Sequence, residues 1–218
     1  MDEWPWDLLP PRTDRWTLQG VAINGGVSVG GVSRLTRTDG GGLWVGEQSF
    51  LLTEPVQIKT ARALEGLMDG GSGLIVAWSF EEPFAPAGAE ASLTPYSDGS
   101  AFSDGGMFVT APTGTTLAAD AALRATVLSV TMEVGALQGG EQFSIVHPVM
   151  GWRRYRVVRV EGGQVTIRPP LREASSAGAV LRFDRVGCVC RLANPQEFMG
   201  ALGIEHSIDV TARWVEAF

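Results

Sequence analysis

Apolar residues recur at every second position through most of this chain, and at helical spacing in one convincing place. In "RWTLQGVAI" (Arg15–Ile23) the inward set is Trp16, Leu18, Val21 and Ile23, and the phase change at Gly20 predicts a bulge in one strand. "GGVSVGGVSRLTRT" continues strand-like, and "GGGLWVGEQSFLL" (Gly40–Leu52) alternates again behind a flexible glycine triplet. The period then changes in "TEPVQIKTARALEGLMDGG". Ile58, Ala61, Leu64 or Glu65, and Met68 recur at helical spacing, with Thr53 as N-cap, Pro55 in the first turn and Gly70 at the close. This amphipathic helix should lay one stripe on a sheet. "GLIVAWSF" (Gly73–Phe80) follows as a fully apolar strand.

From 81 to 108 the pattern breaks down into Pro, Ala, Gly and Ser, with Phe84, Tyr96 and Phe102 set singly among them. A loop of this length is functional or a mobile arm; the reading is an arm inserted in a single domain spanning 1–218, docking on a neighbouring surface, against the alternative of an idle surface loop. Strands resume with "ALRATVLSVTMEV", "EQFSIVHPVM", "WRRYRVVRV", "QVTIRPPL", "AVLRF", "GCVCRLA" and Ile208–Phe218. Tyr155, Val157 and Arg159 are placed on one face, Arg154, Arg156 and Val158 on the other, and Glu161–Gly163 reads as a hairpin turn. "NPQEFMGAL" suits a short helical turn opened by Asn194 and Pro195. The fold class is therefore all-β with one amphipathic helix.

Composition sharpens this. The 28 glycines and 12 prolines in 218 residues lie scattered between apolar runs, which favours short strands joined by turns. The net charge of −7, with only 17 Lys+Arg, has the wrong sign for a protein that grips nucleic-acid phosphates. The N-terminal sequence lacks a basic and then apolar leader, and no apolar run approaches a membrane span, so the expectation is synthesis in the cytoplasm and no membrane association.

Candidate chemistry is sparse. Cys188 and Cys190 stand at i, i+2, on the same face of a strand, and read as buried free thiols. His147 and His206 are isolated, so no metal spacing appears. Asp98 and Asp104 in "YSDGSAFSDGG" form two Asp-Gly turns more simply than a calcium loop. No nucleophile elbow or phosphate-binding loop accompanies them. The expectation is no enzyme, no cofactor and no metal. The arginines around Tyr155 pair with acidic residues of another subunit or form a solvated face.

The order of signals resembles that of siphophage and prophage tail proteins of the distal tail protein type and related minor tail proteins. The matching positions are Trp16 and Leu18; Gly140, Glu141 and Phe143; Tyr155 and Val157; then Ile167, Pro169, Pro170, Leu171 and Arg172. Glu141 stands where the family often has Asp, and a longer stretch after the first strand is here reduced to Asn24–Gly41. The resemblance implies a β-sandwich or barrel related to tail-tube subunits, located in the virion tail. It also implies a homo-oligomeric ring, six-fold, between tail-tube protein and tip hub protein, with DNA passing through the lumen without specific binding. Subunit-interface candidates are Phe84, Tyr96, Phe102, Arg154, Arg156 and Arg172. Pro169 and Pro170 would stop a strand while Leu171 anchors in the core. The alternative function is a carbohydrate-binding β-sandwich module stacking sugars on Trp6, Trp44, Trp78 or Trp152.

Overall fold

Alternating side chains build most of the molecule, and a single α-helix interrupts the strands among the described residues. The computed structural model describes all residues except 1, 21, 38–40, 81–85, 87–91, 95–107, 111–113, 134 and 204–205. Its contacts gather into two units, Met1–Glu81 with Gly187–Phe218, and Glu82–Val186. The sequence pattern alone points to one domain with 81–108 inserted.

The first unit begins with β1 (Asp2–Glu3), β2 (Thr13–Gln19), β3 (Ala22–Val27), β4 (Ser33–Arg37) and β5 (Leu43–Leu52). β5 shows why period two is so readable: Trp44, Gly46, Gln48, Phe50 and Leu52 are all buried, with less covered residues between them. The strand expected over Arg15–Ile23 is in fact two. β2 pairs with β5 from Thr13↔Ser49 to Gln19↔Leu43, whereas Ala22–Val27 turns away into its own two-stranded hairpin with β4. At the end of β2 the two chains lie very close: a Cβ on Gly42 would stand 2.2 Å from the Gln19 carbonyl oxygen, an approach that glycine permits.

Helix α1 (Pro55–Leu67) buries Ile58, Ala61 and Leu64, the expected stripe. Its N-cap is Glu54 rather than Thr53, because the Gln57 side-chain carbonyl accepts from the backbone N–H groups of both Thr53 and Glu54, at 3.2 Å each. The wholly buried β6 (Ile75–Trp78) follows.

The second unit holds β7 (Ser92–Thr94), β8 (Phe108–Thr110), β9 (Thr116–Leu117), β10 (Val127–Thr131), β11 (Gln142–His147), β12 (Gly151–Glu161) and β13 (Gln164–Arg168). β7 and β8 pair with each other, and the rest form a five-stranded sheet in the order β11-β12-β13-β10-β9 that curls into a half-barrel. The β12–β13 turn is tight: Glu161 pairs with Gln164 across Gly162 and Gly163, at φ 55° and 79°, a conformation that side chains with a Cβ rarely adopt. A register shift between Val157 and Arg159 is a bulge. It moves Arg159 off the Tyr155–Val157 face, where alternation had placed it, into solvent beside Glu161.

"AVLRF" forms bridges rather than a strand. Ser144 and Arg182 exchange two backbone hydrogen bonds, at 2.9 and 2.8 Å, and Val180 bridges to Thr116. One short segment thus touches both outer strands of the five-stranded sheet and covers part of each edge. The chain then returns to the first unit with β14 (Gly187–Leu192) and β15 (Ile208–Glu216), joined through a 3₁₀ turn at Pro195–Glu197. These complete a six-stranded mixed sheet, β1-β6-β14-β15-β5-β2, whose β1–β6 pair is parallel.

Candidate functional site

The second unit concentrates its polar chemistry around the proline segment. β13 stops at Arg168, as two consecutive prolines without an N–H require. Pro169 and Pro170 are buried and Leu171 enters the hydrophobic core with Phe143, Tyr155, Val157 and Ile167. The backbone of Leu171 is fastened on both sides, donating to Ala125 and accepting from Arg124, each at 2.8 Å. From there the chain runs over the hairpin of β11 and β12. The Tyr155 hydroxyl accepts the Arg172 N–H at 3.0 Å and lies 2.8 Å from His147 Nε2, while Ser175 Oγ lies 3.2 Å from His147 Nδ1. The Glu173 carboxylate accepts the N–H groups of Val149, at 3.2 Å, and Met150, at 2.8 Å.

His147 is 2 % exposed. Burial lowers its pKa from 6.5 to about 4; Glu173 opposes the shift and Arg153 adds to it. The imidazole is therefore neutral at pH 7, held between two hydroxyls. Serine beside histidine is the beginning of a nucleophile–base pair, but here the second ring nitrogen meets a tyrosine whose oxygen already accepts a backbone N–H. The neighbouring carboxylate is hydrogen-bonded to a turn. The arrangement ties the 171–175 segment to the hairpin through partly buried hydrogen bonds. Tyr155→Phe leaves the Arg172 N–H without its acceptor and should cost about 1–3 kcal/mol, read as a lower urea midpoint at unchanged slope.

The interface candidates fare differently. Phe84, Tyr96 and Phe102 lie outside the described residues, as do Asp98 and Asp104. Arg154 is fully buried, and its guanidinium donates to the Gln142 side-chain carbonyl, at 2.9 Å from Nε and more closely from a terminal nitrogen. Alternation alone had placed it on an outer face; both faces of this stretch are covered, and Arg153 is buried as well. Arg156 and Arg172 are half-buried in the same unit.

A second polar network, unforeseen in the sequence, organises the first unit. Asp14 accepts from Trp16 Nε1 and Gln48 Nε2, both at 2.8 Å, and from Ser79 Oγ at 3.2 Å and the Phe80 N–H. Gln48 in turn accepts Trp214 Nε1 at 2.7 Å. The available signal was Gln48 itself, a polar residue at an inward position of a strongly alternating strand, where an amide must find partners. Cys188 and Cys190 are buried thiols, with their sulfurs 3.2 Å apart. Of the tryptophans offered as a sugar platform, Trp44 and Trp78 are core. Trp6 belongs to the first unit and Trp152 to the second, where the Arg182 guanidinium sits 5.6 Å above its ring. Among the described residues no group of three or more His, Cys, Asp or Glu is placed to hold a metal ion, and no helix is long and apolar enough to cross a membrane.

One surface depression stands apart in charge. A groove of about 290 Å³ runs beside α1, with Pro55, Ile58, Lys59 and Arg62 on the helix side and Leu202 and His206 opposite. These features define a mostly β protein with one α-helix among the described residues. The sequence matches no family model and no curated protein.

Proposed function

We propose that this chain is a structural protein of a bacteriophage tail, of the distal tail type, assembling as a ring between the tail tube and the tip hub. The observation that carries this reading is where the resembling residues lie. Phe143, Tyr155, Val157, Ile167 and Leu171 are all core residues of the second unit. Glu141 accepts the N–H groups of Gln138 and Gly139, at 2.6 and 2.7 Å, and the Arg172 backbone donates to Tyr155. Several of the resembling positions are thus residues of this unit's core, as expected where a family shares architecture rather than reaction chemistry.

Two further features suit an assembling subunit. β2 is one of the two outer strands of the six-stranded sheet, and among the described residues no strand pairs with its outer side, which leaves a ladder edge for a neighbouring copy. The net charge of −7 suits a lumen through which DNA passes without adhering. Electron microscopy of the purified protein, alone and mixed with tail-tube subunits, should reveal rings; monomers in both preparations would overturn the proposal.

A further inference from the structure

We infer that the groove beside α1 receives the acidic N-terminal ridge of a second copy of this chain. The inference rests on the ring assembly above and identifies one of its contacts.

The groove is unusual for this protein. Acidic residues outnumber basic ones, 24 to 17, yet among the described residues the lining carries Lys59, Arg62 and His206 and no carboxylate. Lys59, the chain's single lysine, and Arg62 are both exposed, and among the described residues neither forms an ion pair. The lining also carries the apolar Pro55, Ile58 and Leu202. The chemistry that fits is an apolar side chain flanked by carboxylates: the first is driven out of water by area, and the second neutralises two cations that no described residue of their own chain pairs.

The same chain displays that complement. Asp2, Glu3 and Asp7 are exposed around Trp6, which is 46 % exposed, while Trp4 beside them is buried and fixes the segment. The segment is also held by pairing: β1 lies parallel to β6, and the Trp4 N–H donates to Val76 at 3.0 Å. A ridge already ordered in the free protein loses little entropy on docking. A basic groove and an acidic ridge are different patches, so the contact between copies is heterologous, the kind that generates rings when its rotation closes. Because the pairing is electrostatic at its rim, salt weakens it.

The test uses the full chain. The variant Lys59→Glu/Arg62→Glu and the variant Asp2→Lys/Asp7→Lys alter exposed residues only, so both should melt as the wild type does. Each alone should sediment at least tenfold more weakly associated than wild type, whereas their equimolar mixture, and the fourfold variant carrying all changes, should assemble again. As a second measurement on unaltered protein, a carbodiimide should join the Lys59 amine to Asp2, Glu3 or Asp7 between isotopically light and heavy chains. Assembly that persists in Lys59→Glu/Arg62→Glu, a fourfold variant that stays dissociated, or cross-links confined to single chains would each overturn the inference. Rings that form in that groove variant but no longer take up tube subunits would assign the groove to another protein, and also overturn it. A wild-type chain that never assembles would instead remove the ring proposal itself.

Discussion

Trp214→Ala should lower the unfolding free energy by about 3–5 kcal/mol, the largest single-residue effect expected in this protein. Its indole is fully buried and meets Trp4 edge-on with ring centroids 5.4 Å apart; Trp4 in turn contacts Phe50 at 5.0 Å and Phe198 at 6.2 Å. Truncation therefore opens a cavity at the centre of an aromatic cluster that cannot collapse without moving three other rings. It also strips Gln48 of the Nε1–H it accepts, leaving a buried carbonyl oxygen without that donor. Trp214→Phe separates the two effects, since it keeps most of the ring volume and loses only the donor, and should cost about 1–3 kcal/mol. Urea unfolding followed by circular dichroism compares the two. Equal losses would mean that packing contributes little and that the cluster is less tightly built than its ring distances indicate.

The second large effect is a dependence on pH. In the folded protein the buried His147 binds its proton only near pH 4, whereas a free imidazole binds it near 6.5. The unfolded chain therefore takes up the proton first. Stability contributed by the neutral ring is complete above pH 6.5 and is lost as pH falls toward 4, by about 1.4 kcal/mol per unit and about 3 kcal/mol in all. The main cause is burial, which penalises the charged ring, with Arg153 adding to it; a protonated ring would also have to donate at Nε2 to a Tyr155 oxygen that already accepts the Arg172 N–H. Comparing urea midpoints of wild type and His147→Gln from pH 7.5 to 4 isolates this contribution, because titrations common to both cancel. Parallel curves would show that the ring is solvated and would dismantle the account of the 171–175 attachment.

Much of the architecture could be read from the residues because burial on one face imposes its own period. β5 and β15 each keep one side covered along their whole length, and their alternation is unbroken; α1 buries Ile58, Ala61 and Leu64 at helical spacing. Wherever that condition fails, the reading fails with it. Around Arg153 and Arg154 both faces of β12 are buried, so arginine, the usual mark of an outer face, misplaces the strand. At Val157–Arg159 a bulge resets the phase, and at Gly20 an apparent single strand divides between two sheets.

The polar sites were less legible, for a related reason. His147 looked isolated because its partners, Tyr155 and Ser175, arrive eight and 28 residues later through strand pairing and a returning loop. Gln48 and Trp214 are separated by 166 residues. The chain's own pattern thus determined its class, most of its strands, its helix and its acidic character, since these follow from which side chains water rejects and which it keeps. Tertiary structure alone decided which distant strands lie together, which arginines are buried, and which hydroxyls surround one neutral histidine. Those outcomes depend on hydrogen-bond edges and cavities that exist only once remote segments have met.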